Sequence, residues 1–107
     1  MFDEKLKIWY NNEIKKLKDA NTSLLTHSLH YGSSVFEGIR AYNTPKGPAI
    51  FKLKEHIDRL FYSASVLSMK IPYTKKELCD ACIKVIKENN FKSAYLRPII
   101  FFGSEFL

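Results

Sequence analysis

The sequence has 107 residues, of which 46% are hydrophobic and 14% aromatic, and it carries a formal net charge of +6 at pH 7. This length allows one domain with its own core, and the composition excludes disordered and collagen-like classes. No stretch reaches the roughly 18 to 20 apolar residues that span a bilayer, and the charged N-terminus is unlike a signal peptide. We therefore expect a single domain over residues 1–107, without membrane association and located in the cytoplasm.

Segments near the N-terminus favour a hairpin and a short helix. Apolar and polar residues alternate over residues 7–17 on both sides of Asn11-Asn12, a pair that tolerates positive φ, and this pattern predicts a β-hairpin. Residues 24–31 favour a short helix that ends at Gly32.

A second hairpin is predicted in the middle of the chain. Residues 35–42 have strand propensity, and a loop rich in turn residues separates them from a short apolar run at 49–52. Alternation places one set of side chains on a common face: Phe36, Gly38, Arg40 and Tyr42. Gly38 indicates either a close approach by another backbone or a ligand, or a β-bulge.

Two amphipathic helices follow. The first apolar stripe has the helical period of about 3.6 and comprises Leu53, Ile57, Leu60, Phe61, Ala64 and Leu67. Thr74 and Glu77 form a capping-box signature for the second helix, which is predicted to run to Asn89-Asn90. Strands, helices and a final strand-forming segment predict an α+β domain of two layers, with a mainly antiparallel sheet and two amphipathic helices.

The final segment, residues 93–103, is rich in strand formers. Alternation gives it one apolar face and a second face with Tyr95, Arg97, Ile99 and Phe101. Because a charge beside an apolar row needs a partner, Arg97 requires an anion. The anion is either a ligand carboxylate or an internal one, for which the candidates are Glu13, Glu37 and Asp58.

Arginine is used sparingly in this chain. Lysine provides 14 of the 17 cationic residues, and the others are Arg40, Arg59 and Arg97. A guanidinium can grip a carboxylate or phosphate through two hydrogen bonds, so these three positions are candidate anion sites. For Arg59 the spacing leaves two alternatives open, a surface ion pair with Glu55 or a phosphate site.

The sequence gives only weak indications of redox activity, metal binding or nucleic-acid binding. Cys79 and Cys82 fall inside the second helix, where buried, reduced packing is favoured over redox activity. Two cysteines and three histidines match no familiar zinc spacing, so no metal site is expected. Scattered lysines favour a solvated basic surface over nucleic-acid binding, although a basic RNA-binding module stays as a third hypothesis.

Residues 27–42, HSLHYGSSVFEGIRAY, closely resemble the N-terminal signature of branched-chain amino-acid aminotransferases, which are fold-type-IV enzymes dependent on pyridoxal 5′-phosphate. Further landmarks of that family follow in the same order at residues 46–48, 55–60, 63–64, 93–98 and 102–103. Together they cover nearly the whole chain. The resemblance implies the small N-terminal domain of such an enzyme.

The resemblance also implies roles for the residues that match its motifs. Arg59 would hold the cofactor phosphate, Tyr95 would donate to the substrate α-carboxylate, and Arg97 would bind the side-chain carboxylate of glutamate. Three further residues would bind substrate. Tyr31 would reach into the site of a partner subunit and help Arg97. Phe36 would line the pocket for an aliphatic side chain, and Arg40 would support that pocket.

In this family the amino group passes from leucine, isoleucine or valine to the cofactor and then to 2-oxoglutarate, which becomes glutamate. The reaction needs a lysine that forms a Schiff base with the cofactor, and the resemblance places that lysine in a larger C-terminal domain. None of the lysines here matches its motif, so we expect no catalytic residue in this chain. A truncated chain of this kind is predicted to be inactive and not to bind the cofactor stably.

Two further expectations concern assembly. Because Tyr31 is implied to act across a subunit boundary, a homo-oligomer is expected. The alternative hypothesis is a folded remnant or self-associating domain without activity, in which faces that normally meet other parts of the enzyme are exposed or capped by dimerisation.

Overall fold

The computed structural model describes residues 4–104. These residues contain seven strands and three α-helices. The strands are β1 (Lys7–Tyr10), β2 (Glu13–Lys16), β3 (Ser34–Phe36), β4 (Ile39–Thr44), β5 (Gly47–Ile50), β6 (Ala94–Leu96) and β7 (Ile99–Phe101). The helices are α1 (His27–Tyr31), α2 (Leu53–Val66) and α3 (Lys75–Glu88), and a 3-10 turn covers Leu17–Asp19.

Both predicted hairpins and the short helix are confirmed. Strands β1 and β2 pair in register, and the turn residues Asn11 and Asn12 take φ values of 47° and 71°. Asparagine adopts this left-handed region more readily than most residues. Helix α1 ends at Gly32, which takes the left-handed conformation at φ 65° and donates its N–H to Ser28 O. Strands β4 and β5 form the second hairpin.

The two long strand predictions were wrong in one respect, because each segment is broken in the middle. The first breaks at Glu37-Gly38 into β3 and β4, and the second breaks at Arg97-Pro98 into β6 and β7. Pro98 has no N–H to donate to a ladder, and the Glu37 N–H donates to its carbonyl at 3.0 Å. The breaks therefore lie opposite each other, and β3 pairs with β7 while β4 pairs with β6.

The core lies between the helices and the sheet of β5, β4 and β6. Ile39, Ile57 and Leu60 are fully buried, and Ile86 of α3 and Leu96 of β6 complete the same cluster. The predicted capping box of α3 is present: the Thr74 hydroxyl accepts from the Glu77 N–H, and the Glu77 carboxylate accepts from the Thr74 N–H. The α+β class is confirmed, with the strands divided among three small antiparallel sheets.

The two long helices are amphipathic, and their outer sides are mainly polar, although Tyr62, Val66 and Ile83 are also exposed. In residues 4–104 there is no helix with the length and apolar content required to cross a bilayer.

Candidate functional site

Four of the predicted site residues share one open face beside the paired strand breaks. Antiparallel pairing sets Arg40 opposite Tyr95 and Phe36 opposite Ile99. Phe36, Arg40 and Tyr95 therefore lie on strands beside the breaks, and Arg97 lies in one of the breaks. Phe36 and Tyr95 are each about half exposed, at 54% and 53%. An aromatic surface of this kind in a small domain is typical of a binding face. We call Phe36, Arg40, Tyr95 and Arg97 the aromatic–arginine face.

Direct contacts organise the aromatic–arginine face. Arg97 Nη2 donates to the Tyr95 hydroxyl at 3.0 Å, and Arg97 Cζ lies 4.2 Å from the centre of the Phe36 ring. Arg40 Cζ lies 5.8 Å from the centre of the Tyr95 ring. A cation over an aromatic ring is attracted by the electron-rich ring face. The rings therefore hold both guanidinium groups without neutralising them.

The alternatives for Gly38 are decided by Tyr95. A Cβ built on Gly38 would overlap the Tyr95 hydroxyl and lie 2.9 Å from its Cζ. The glycine therefore permits a close approach, which was one of the two predictions, but the approaching group is the Tyr95 side chain and not the expected backbone or ligand.

Arg97 lies at the strand break and is exposed on the open face. None of the three candidate internal carboxylates reaches it within residues 4–104. Glu37 pairs with His56 and Arg59, Glu13 with Lys15, and Asp58 with Lys75. Arg97 therefore presents a guanidinium with an aromatic backing and no carboxylate partner from the described part of the chain.

Tyr31 is not part of the aromatic–arginine face. It lies at the end of α1, is 69% exposed, and its ring packs at 4.6 Å from His27 and 6.2 Å from His30. Tyr31 is therefore an exposed aromatic side chain that packs against two histidines of its own helix.

Arg59 makes an ion pair, but the predicted partner was wrong. Glu55 pairs with Lys52 at 3.9 Å, whereas Arg59 pairs with Glu37. Arg59 Nε lies 3.1 and 2.9 Å from the two Glu37 carboxylate oxygens, and Nη2 lies 2.9 Å from Oε1. The buried carboxylate attracts the guanidinium more strongly than a solvated glutamate one helical turn away.

Glu37 is nearly buried, with 5% of its side chain exposed, and His56 Nδ1 lies 2.8 Å from its Oε1. The hydrogen bonds from Arg59 hold the pKa of the Glu37 carboxyl below its ordinary value of 4.5, against the opposing effect of burial. Arg59 itself remains 67% exposed, so one edge of its guanidinium contacts Glu37 while most of the side chain faces solvent.

Sequence reasoning found Glu37 only as a candidate partner for Arg97. A signal for its real role was present: alternation puts Glu37 on the same side as Ile39 and Ala41, which are both buried. A buried carboxylate needs cationic or hydrogen-bonding partners, and His56 and Arg59 are three residues apart on one helix face.

The cysteines lie within α3, as predicted. Burial raises the pKa of the Cys82 thiol to about 11 and also raises that of Cys79. In the described residues, no three histidine, cysteine or acidic side chains are grouped closely enough to hold a metal ion.

Comparison with known proteins adds a family assignment to this geometry. Residues 34–107 match the family model described as amino-transferase class IV. The chain therefore belongs to the amino-transferase class IV family.

Individual relatives are of a narrower type than the family model, because they are branched-chain-amino-acid aminotransferases. The chain is 54% identical over 98 residues to a branched-chain-amino-acid aminotransferase of Pseudomonas aeruginosa, covering 92% of this chain and 32% of the relative. It is 47% identical over 96 residues to that of Escherichia coli K12, covering 90% and 31%. The chain thus spans about a third of the length of the curated relatives it matches.

Solved structures agree. The branched-chain amino acid aminotransferase from T.th. superposes with a TM-score of 0.91 at 50% identity, covering 92% of this chain and 34% of that one. Structures of the same enzyme carry 4-methylvaleric acid, N-(5′-phosphopyridoxyl)-L-glutamate or pyridoxamine 5′-phosphate. The predicted resemblance to the N-terminal domain of branched-chain aminotransferases is confirmed by sequence and by fold.

Proposed function

We propose that this chain forms the substrate-binding part of a pyridoxal 5′-phosphate-dependent aminotransferase that exchanges an amino group between leucine, isoleucine or valine and 2-oxoglutarate. The observation that carries the proposal is Arg97, whose guanidinium stands over Phe36, bonds to Tyr95 and has no carboxylate partner in residues 4–104. Relatives that are branched-chain aminotransferases support the same conclusion.

The aromatic–arginine face suits two kinds of substrate. An aliphatic side chain packs against the Phe36 ring, whereas the second carboxylate of glutamate or 2-oxoglutarate pairs with Arg97. Tyr95 donates its hydroxyl hydrogen to the α-carboxylate common to both substrates, and the Arg40 guanidinium lies against the Tyr95 ring, with Cζ 5.8 Å from its centre. One face thereby accepts a hydrocarbon chain and an anion in turn.

Arg59 is the group in this chain that suits the cofactor phosphate. Its guanidinium is largely exposed, and its bonds to Glu37 use Nε and Nη2. Nη1 and the outer hydrogen of Nη2 therefore form a second donor edge, which matches two phosphate oxygens. When bound, pyridoxal 5′-phosphate supplies the aldehyde carbon that accepts and returns the amino group.

We also propose that the 107-residue chain is inactive alone and does not retain the cofactor. The family reaction requires a lysine bonded to the cofactor, and no lysine in this sequence stands in a motif that resembles the family's. A mixture of the purified chain, leucine, 2-oxoglutarate and cofactor should form no glutamate above a cofactor-only blank. Glutamate above that blank would disprove the inactivity.

The substrate role is tested by joining this chain to the remaining two-thirds of the Pseudomonas aeruginosa relative. The fusion should transaminate leucine, and Arg97→Gln should raise KM for 2-oxoglutarate far more than KM for leucine, because leucine has no second carboxylate. Lys84→Gln, an exposed change on α3, serves as the control. Equal losses for both substrates would contradict the role given to Arg97.

Tyr31 is proposed to act on the aromatic–arginine face of a second copy, so the working unit is a homo-oligomer. Its 69% exposure supports this, because the ring is accessible to a second copy. In the fusion protein, Tyr31→Ala should lower activity with 2-oxoglutarate, and sedimentation should give a species larger than one chain. A fully active monomer would contradict the proposal.

A further inference from the structure

The contact between Glu37 and Arg59 has a side-on geometry. Nε and Nη2 face the carboxylate, and the nearly buried Glu37 is itself fixed by His56 Nδ1 at 2.8 Å. Within residues 4–104, Nη1 of Arg59 makes no hydrogen bond. One edge of the guanidinium is therefore anchored by Glu37, and the adjacent edge, formed by Nη1 and the outer hydrogen of Nη2, has no hydrogen-bond partner in the described residues of this largely exposed side chain.

An anchored arginine loses less side-chain conformational entropy than a free one when it binds an anion. An exposed arginine samples many rotamers and loses that freedom when it grips an anion, whereas a guanidinium already held along one edge has lost much of it beforehand. The carboxylate also keeps the guanidinium plane in one orientation. The donor edge presented to solvent is thus prepared for a planar pair of oxygens.

We propose that Glu37, held by His56, is a positioning residue that orients Arg59 to bind a phosphate group through its outer edge. The inference rests on the proposed assignment of the cofactor phosphate to Arg59 and adds the residues that prepare it. It differs from simple neutralisation, in which Glu37 and phosphate would compete for the same guanidinium.

Positioning and competition predict opposite results for Glu37→Gln. If Glu37 positions Arg59, glutamine holds it less firmly, and the affinity for inorganic phosphate should fall by about two- to tenfold, the cost of ordering one long side chain. If Glu37 competes, removing its charge should tighten phosphate binding. Glu55→Gln is the matched control, because Glu55 lies on the same helix as Arg59 and pairs with Lys52 instead.

The scarcity of arginine makes a direct measurement possible. The full 107-residue chain has three arginines, so the arginine Nε–H region of a nitrogen-15 correlation spectrum holds three signals, and Arg59→Lys identifies one of them. In the unmodified chain the Arg59 Nε–H should exchange with water more slowly than those of Arg40 and Arg97. It should stay protected while inorganic phosphate shifts its resonance.

Each outcome has a separate meaning. Three outcomes overturn the positioning role and leave the proposed function in place. The Arg59 Nε–H loses its protection when phosphate is added, Glu37→Gln binds phosphate more tightly than the unmodified chain, or the two chains bind phosphate with equal affinity. An Arg59 signal that phosphate never shifts overturns the phosphate assignment itself. Circular dichroism would reveal whether Glu37→Gln unfolds. In that case the phosphate affinity of His56→Gln and the Arg59 Nε–H exchange rate of the unmodified chain still decide between positioning and competition.

Discussion

The ring of Tyr95 lies across the backbone of Gly38. A Cβ at residue 38 would be 2.9 Å from Tyr95 Cζ and would overlap the hydroxyl. The same hydroxyl accepts from Arg97 Nη2 at 3.0 Å. The absence of a side chain at residue 38 therefore determines where the Tyr95 hydroxyl lies, and through it where Arg97 is held.

Gly38→Ala should displace Tyr95 without unfolding the domain. Since Tyr95 is half exposed, its ring can rotate outward, and the free energy of unfolding should change by less than about 1 kcal/mol. The bond between Tyr95 and Arg97 should be lost, and a glutarate titration should show weaker binding at Arg97. In a Tyr95→Ala background the same change should have no further effect on glutarate binding; an undiminished effect there would show that the two residues act independently.

Glu37 should make stability depend on acidic pH. Its pKa is lower in the folded chain than the ordinary 4.5, mainly because Arg59 donates hydrogen bonds to it. Between the folded pKa and about pH 4.5, the folded state therefore binds fewer protons than the unfolded state. The contribution of ionised Glu37 to the free energy of unfolding is present above about pH 4.5 and is lost as pH falls through the folded pKa. Urea unfolding at several pH values should show the advantage over Glu37→Gln shrinking below that point. Glu55→Gln should keep the pH profile of the unmodified chain.

Local patterns were sufficient for most of the fold. The Asn11-Asn12 turn, the Gly32 helix end and the Thr74 capping box each depend on a few neighbouring residues, and all three are present. The strand breaks at Gly38 and Pro98 were missed because period-two alternation continues through them. Only the pairing of one break with the other, a long-range relationship, makes two sheets from what reads as two continuous strands.

The site was predicted in part for the same reason. Alternation correctly put Tyr95 beside Arg97, whereas none of the three candidate internal carboxylates reaches Arg97 within residues 4–104. The partner of Arg59 could not be read from helical spacing, which offered Glu55, because the choice depends on a carboxylate delivered from the strand side. Charge pairs across elements are set by burial and distance, and neither is visible in a local pattern.

Thr74 should contribute measurably to α3. Its hydroxyl accepts from the Glu77 N–H at 3.1 Å, and Thr74→Ala should lower the free energy of unfolding by about 1 kcal/mol. Thr74→Ser keeps the hydroxyl and should remain close to the unmodified chain in urea unfolding. Equal losses for alanine and serine would mean that the methyl group, and not the cap, is responsible.

The two thiols should be slow to react in the folded chain. Only the thiolate is strongly nucleophilic, and burial raises the pKa of Cys82 to about 11, so little thiolate is present at neutral pH. Cys79 is less buried and has a smaller barrier to reagent access, although its pKa is also raised. With a chromogenic disulfide reagent at neutral pH, Cys79 should react before Cys82, and both should react rapidly in urea. Measured in Cys79→Ser, the rate for Cys82 should follow global unfolding; a fast reaction in the native state would contradict the packing of α3 against the core.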